Sequence, residues 1–215
     1  MYLSRIQLDP GRRSTMKALA SPTLFHGAIE QSFSGPRSRN LWRIDKLGDK
    51  LYLIVMSRNY PDFGSVALQF GPAVTDTGWE TRDYESFLSR LEVNDTWHFR
   101  LTANPTVSRC TKQNERGKVL GHITPEYQKQ WLLARAATHG FVINEEDFSV
   151  TESRWLRFRK GSDNNRNVTI LSVTFEGVLT ISDSDLFRQT LRNGIGRGKA
   201  YGNGLLTVAG KHDRI

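Results

Sequence analysis

The chain has 215 residues, a formal net charge of +8 and a sequence pI near 9.8. This length allows one large or two small domains, and no apolar run approaches the roughly 20 residues of a membrane-spanning helix. The single cysteine, Cys110, excludes an internal disulfide framework and a zinc site built from several cysteines, so a cytoplasmic location is expected.

The first part of the chain is predicted to form a strand, a helix, two strands, a weakly patterned segment and a further strand. Ser21-Pro22 is typical of a helix start, with serine as N-cap and proline in the first helical position. The segment around Gly48 predicts a hairpin turn. The expected ranges are strand 1–9, helix 22–34, strands 41–45 and 51–57, and strand 78–84.

The second part repeats this order of strand, helix, strand, strand, helix, strand, with a mobile basic loop expected over 108–122. Its expected ranges are strand 97–103, helix 125–139, extended segments 141–148 and 151–159, strand 167–181, a helix capped by Ser182-Asp183, and strand 205–209. The order is that of a ferredoxin-like unit. The pattern therefore predicts an α+β fold of two tandem ferredoxin-like (RRM-like) βαββαβ domains, residues 1–90 and residues 91–215.

Residues 193–204 form a glycine-rich segment, Asn-Gly-Ile-Gly-Arg-Gly-Lys-Ala-Tyr-Gly-Asn-Gly. Glycine allows close approach to the backbone, and Arg197 and Lys199 add positive charge. The segment does not match a Walker-type phosphate loop, which needs glycine at the position of Asn193 and serine or threonine at the position of Ala200. A dinucleotide-binding loop would have to follow a strand, whereas this segment follows a predicted helix. A loop along an RNA backbone is favoured over a flexible connector. The glycines expected to contact RNA are Gly194, Gly196, Gly198, Gly202 and Gly204.

A second basic region, residues 154–166, holds a local surplus of +4, half of the total charge. Arg157 and Arg159 share one face of the predicted strand with Trp155. Such a ribbon suits a nucleic-acid groove, although a solvated edge strand protected by its charges is the alternative. The RNA contacts expected outside the glycine-rich segment are Arg154, Arg157, Arg159, Lys160, Arg166, Lys112, Arg116, Lys118, Arg37 and Arg39.

One histidine is a candidate for catalysis. Metal-free RNA cleavage removes a proton from a 2′-hydroxyl and gives one to the departing 5′-oxygen, and histidine titrates in the right range for both transfers. His26 lies one turn into the first helix and off its apolar stripe, so it is expected to face a cleft. The other histidines are interpreted as structural or incidental: His98, His122, His139 and His212.

Three segments carry a resemblance to a known family: Leu101-Thr-Ala-Asn-Pro-Thr-Val-Ser-Arg109, Phe175-Glu-Gly-Val-Leu-Thr180 and Gly194-Ile-Gly-Arg-Gly-Lys-Ala-Tyr-Gly-Asn-Gly-Leu-Leu206. The start Met1-Tyr-Leu-Ser-Arg5 and the position of Leu24-Phe25-His26 fit as well. Over nearly its whole length the chain resembles the CasE family, the CRISPR-associated endoribonucleases of type I-E systems.

The resemblance implies a tandem ferredoxin-like fold and cleavage of CRISPR precursor RNA at the 3′ base of the repeat stem-loop. No metal or cofactor is expected, and the products carry a 2′,3′-cyclic phosphate and a 5′-hydroxyl. The implied partners are the repeat hairpin and the other Cascade subunits. His26 matches the catalytic histidine, and Lys160 with its neighbouring arginines matches the RNA-gripping hairpin approximately by position. Thr23 stands where some relatives have a tyrosine, and its hydroxyl has a shorter reach.

The alternative function is a non-catalytic RNA-binding scaffold subunit of a CRISPR ribonucleoprotein, which would have no need of His26. A generic RNA binder of the RRM type is more distant, because no clear signature aromatics are present. If the chain is an enzyme, Arg37, Arg39 and Lys199 are the candidates to offset charge on the phosphorane.

Overall fold

The computed structural model describes residues 1–36, 38–73, 78–109, 118–159 and 167–210. Five predicted RNA contacts lie outside these residues: Arg37, Lys112, Arg116, Lys160 and Arg166. None of the helices in the described ranges is long and apolar enough to cross a membrane.

The first unit is a four-stranded antiparallel sheet in the order β2 (Leu41–Leu47), β3 (Lys50–Ser57), β1 (Tyr2–Leu8) and β4 (Trp79–Asp83). Helices from this unit bury Phe25 and Ile29, together with Phe70, against the sheet residues Ile6 and Val55. This strand order confirms the first ferredoxin-like unit. Its elements are β1 (Tyr2–Leu8), α1 (Arg13–Ala20), α2 (Thr23–Gln31), β2 (Leu41–Leu47), β3 (Lys50–Ser57), α3 (Gly64–Phe70), β4 (Trp79–Asp83) and α4 (Glu85–Leu88).

The second unit has the same strand order, with β11 (Leu206–Ala209), β5 (Thr96–Ala103) and β10 (Asn167–Ile181) side by side. Both β9 (Phe148–Arg159) and the short β8 (Phe141–Val142) pair with β10. A hairpin of β6 (Thr106–Arg109) and β7 (Lys118–Gly121) replaces part of the expected mobile loop, so that prediction is wrong for residues 108–109 and 118–121. The elements are β5 (Thr96–Ala103), β6 (Thr106–Arg109), β7 (Lys118–Gly121), α5 (Pro125–Ala136), β8 (Phe141–Val142), β9 (Phe148–Arg159), β10 (Asn167–Ile181), α6 (Ser184–Asn193) and β11 (Leu206–Ala209).

The two units share a hydrophobic core, in which Leu41 and Met56 of the first sheet pack in one cluster with Leu101 and Leu205 of the second unit. This continuous apolar contact fixes the units relative to each other, because exposing it would cost about 25 cal/mol for each Å².

Arg43 adds a polar link at this junction. The residue is 3% exposed, and its Nε and Nη2 each donate to one carboxylate oxygen of Asp45 at 2.7 Å. Its Nη1 donates to the carbonyl oxygens of Arg100 and Leu205 at 2.9 and 3.0 Å. A buried charge with its donors satisfied in this way holds its partners in a defined geometry.

A candidate active site between the two units

His26 lies on α2, a helix that buries Phe25 and Ile29 while His26 stays partly exposed. The orientation of His26 away from the buried positions of this helix is therefore as expected. The apolar stripe predicted for the helix is wrong at Leu24, which is 46% exposed; its predicted members were Leu24, Phe25, Ala28, Ile29 and Phe33. The expected serine cap is wrong. Ser21 accepts a hydrogen bond from the Leu24 amide through its carbonyl, while its hydroxyl lies 3.0 Å from Thr23 Oγ1.

An open cleft of about 300 Å³ brings residues from both units around His26. The first unit contributes the end of α2 and the segment before β2, and the second unit contributes the glycine-rich segment. Asn40 Nδ2 donates to Glu30 Oε1 at 3.4 Å on one wall. The residues that line the cleft are His26, Glu30, Ser38, Arg39, Asn40, Lys199 and Ala200.

The cleft contains two of the cations that the sequence singled out, Arg39 and Lys199. Burial lowers the pKa of Lys199 below the ordinary lysine value, and the positive charge of Arg39 lowers this pKa further. Two cations held close together in a concave, partly desolvated site favour an anionic occupant. Thr23 is not among the residues that line this cleft.

The glycine-rich segment is packed against protein atoms along much of its length. At Gly202, where φ is +80°, a Cβ would lie 2.9 Å from the Trp42 ring, and at Gly194 a Cβ would lie 2.4 Å from the Gly204 carbonyl oxygen. Gly194, Gly202 and Gly204 are buried. Their small size is thus required by internal packing, and RNA contact by these glycines stays a prediction.

The outer part of the same segment is more accessible. Gly196 and Arg197 are exposed, and Gly198 is half-buried. Arg197 forms an isolated β-bridge with Asn104, and Gly204 donates its amide hydrogen to the Thr102 carbonyl at 2.6 Å. These bonds attach both arms of the loop to β5 and its extension, so that Lys199 is presented toward α2.

The basic strand β9 alternates as expected. Arg157 and Arg159 are exposed and share a face with Trp155, in continuous register with β10. Arg154 lies on the opposite face, lines the junction between the units, and has its Nε 3.5 Å from Glu152 Oε1. Lys118 is exposed at the start of β7. The arginines therefore form two separate surfaces, and RNA contact by each stays a prediction.

Sequence reasoning did not select Glu30, Ser38 or Asn40 as site residues. They lie at the end of α2 and in the irregular segment before β2, where no periodicity marks a functional face. Among the described residues, no group of three or more His, Cys, Asp or Glu side chains is arranged to hold a metal ion.

The family model described as CRISPR associated protein matches residues 1–210 of the chain. The subunit CasE of the CRISPR system Cascade from Escherichia coli K12 is 30% identical over 166 residues, which cover 72% of this chain and 79% of that protein. The chain belongs to the CasE family. The CRISPR-associated endoribonuclease Cse3 of Thermus thermophilus is 28% identical over 223 residues, 97% of this chain and all of that protein.

The fold of this CasE-family chain is also similar to those of solved structures. Thermus thermophilus Cse3 bound to an RNA representing a pre-cleavage complex has a TM-score of 0.78 and 25% identity, covering 97% of this chain and 98% of that chain. A chain of a CRISPR RNA-guided surveillance complex has a TM-score of 0.69 and 27% identity, covering 97% and 99%. The expected family and the tandem ferredoxin-like fold are confirmed.

Proposed function

We propose that this protein is an endoribonuclease that cuts CRISPR precursor RNA within the repeat and remains bound to the 3′ hairpin of the product in Cascade. The observation that supports this function most directly is the cleft in which His26 of the first unit and Lys199 of the second unit lie together. A relative named as an endoribonuclease, similar over its full length, supports the activity. We place the protein in the cytoplasm.

The proposed cleavage is at the 3′ base of the repeat stem-loop, without a metal ion. The scissile 2′-hydroxyl loses its proton as its oxygen attacks the adjacent phosphorus, and the P–O5′ bond breaks as the departing oxygen gains a proton. The products are a 2′,3′-cyclic phosphate and a 5′-hydroxyl. His26 performs one of the two proton transfers, because a positioned imidazole near neutrality suits either.

The cations of the cleft have an electrostatic role. The phosphorane carries more negative charge on its oxygens than the starting diester, so Arg39 and Lys199 stabilise it more strongly than the substrate. Firm binding of the hairpin fixes the 2′-oxygen in line with the phosphate, which supplies a further part of the rate.

We assign the grip on the stem to the exposed cations of β9 and their neighbours. Arg157 and Arg159 point to solvent, as phosphate contacts require. By sequence, the same role extends to Lys160 and Arg166 beyond the strand.

We further propose residues 1–90 and residues 91–215 as the two domains, because each range contains one complete sheet of the same strand order.

The test is single-turnover cleavage of a matching repeat hairpin in EDTA by the wild type and by His26→Ala. We expect the variant to cleave about 10² to 10⁴ times more slowly, while the dissociation constant of the hairpin stays within about twofold. His98→Ala, which removes an exposed imidazole on β5, is the matched control and should cleave normally.

Each other outcome has a definite meaning. Unchanged cleavage by His26→Ala refutes the assignment of this histidine. Loss of wild-type cleavage in EDTA refutes the metal-free mechanism. Firm hairpin binding by a wild type that never cleaves indicates the scaffold function instead.

A further inference from the structure

A second cleft, of about 380 Å³, lies on the second unit and shares no lining residue with the His26 cleft. It is formed where the β6–β7 hairpin and the start of α5 meet β9. Its lining is almost entirely apolar and includes Val107, Leu120, Ile123, Tyr127 and Trp155.

The apolar side chains of this cleft are unusually open to solvent. Trp155 is 45% exposed, Tyr127 62% and Ile123 71%. Of the eleven large hydrophobic residues exposed among the described ranges, four line this cleft: Leu120, Ile123, Tyr127 and Trp155. Single exposed hydrophobic residues are ordinary, but a cluster of them marks a binding surface.

The walls of the cleft are held in place before any ligand binds. Gln128 is fully buried, and its Nε2 donates to the carbonyl oxygens of His122 at 2.9 Å and Ile123 at 3.0 Å. At Gly121 a Cβ would lie 3.2 Å from the Trp155 ring, so the absence of a side chain there lets the indole seat against β7. A preorganised site loses little entropy on binding.

The charges beside the cleft favour an anionic occupant. Arg157 and Arg159 follow Trp155 on the same face of β9, and Lys118 begins β7 two residues before Leu120, on the same face of that strand. The lining includes no carboxylate, although the exposed Glu126 neighbours Tyr127 in sequence. A flat apolar base joined to a phosphate matches an aromatic surface flanked by arginines, and unpaired RNA is commonly bound in this way.

We propose that this cleft holds an unpaired nucleotide flanking the repeat stem, with its base against the Trp155 indole and its phosphate toward Arg157. The inference rests on the proposed RNA-binding function and adds a site for single-stranded RNA to it. Continuity with the basic face of β9 favours RNA over an apolar segment of a protein partner, which is the rival occupant.

The test compares two RNAs, the repeat stem-loop alone and the same stem-loop with single-stranded nucleotides on both sides. For Trp155→Ala we expect binding of the flanked RNA to weaken about tenfold or more, while the bare stem-loop changes by less than about twofold. Trp155→Phe keeps an aromatic face and should restore most of the difference. Tyr60→Ala removes an aromatic ring that is 64% exposed on the first unit and should alter neither affinity.

A fluorescent 2-aminopurine placed at each flanking position in turn gives a second readout. We expect one position to be quenched by the wild type and by Trp155→Phe, but not by Trp155→Ala. Equal weakening of both RNAs, or of neither, overturns the proposal. Normal RNA binding combined with failed assembly into Cascade assigns the cleft to a protein partner. A wild type that binds neither RNA refutes the proposed function itself.

Discussion

The glycine-rich segment and the basic strand β9 both contain positively charged residues, but the glycines of the first are largely buried whereas the arginines of the second are exposed. Gly194, Gly202 and Gly204 are buried against protein atoms, whereas Arg157 and Arg159 of β9 are exposed. The first region shapes the cleft and presents Lys199 to it, and the second offers charge to a ligand. Composition alone does not separate these two roles, because burial depends on contacts made across the whole fold.

The largest effect on stability is expected at Gly202, because this residue of the glycine-rich segment is packed against protein atoms. Gly202→Ala adds a Cβ 2.9 Å from the Trp42 ring at a φ of +80°, and we expect a loss of about 2–4 kcal/mol in the free energy of unfolding in urea. Gly48→Ala is the matched control, since its φ is +59° with open space around the Cβ, and it should cost about 1 kcal/mol. Equal losses would show that Trp42 does not restrict the loop.

The basic strand should respond in RNA affinity instead of stability. For the double variant Arg157→Ala/Arg159→Ala we expect hairpin binding to weaken about tenfold or more, and the slope of log K against log salt to fall by about two. The cleavage rate at saturating RNA should stay close to that of the wild type. Arg82→Ala, which removes an exposed arginine on β4, should leave the slope unchanged. If the double variant kept the wild-type slope of log K against log salt, Arg157 and Arg159 would not contact the RNA phosphates.

A smaller effect is expected on the pH dependence of cleavage. In the proposed mechanism the protonated form of Lys199 stabilises the phosphorane, so kcat/KM should fall as pH rises through the pKa of this residue. Burial and Arg39 lower that pKa, which places the alkaline limb below the ordinary lysine range. Arg39→Met removes one of the two causes and should move the limb to higher pH, whereas Arg82→Met should not. If the alkaline limb of the pH profile stayed in place in Arg39→Met, the proposed effect of Arg39 on the pKa of Lys199 would be contradicted.

Much of the fold could be predicted from local sequence patterns. The Asp183 cap is confirmed by its bond from the Leu186 amide at 2.9 Å, and Gly140 ends its helical segment with a φ of +79°. The helices α1 and α3 were missed, because they have eight and seven residues, too short for a clear helical period.

The site could be predicted only in part. The position of His26 off an apolar stripe is a local property of α2, so the sequence could place it beside a cleft. Its closeness to Lys199 depends on packing between units at opposite ends of the chain, which no local pattern encodes. No local periodicity marks Glu30 or Asn40 as site residues. Packing between the units also explains why the sequence could not assign Arg154 to the junction between them.

The central claim is that one active site is built from both units, and Lys199→Met tests it most directly. The variant removes the charge but keeps an unbranched apolar side chain, and single-turnover cleavage is measured with the protein in saturating excess over the repeat hairpin. We expect a rate at least about tenfold lower, with the dissociation constant changed by less than about threefold. Lys50→Met, at an exposed lysine on β3, should cleave normally. A wild-type rate for Lys199→Met would contradict the claim that the second unit takes part in the chemistry.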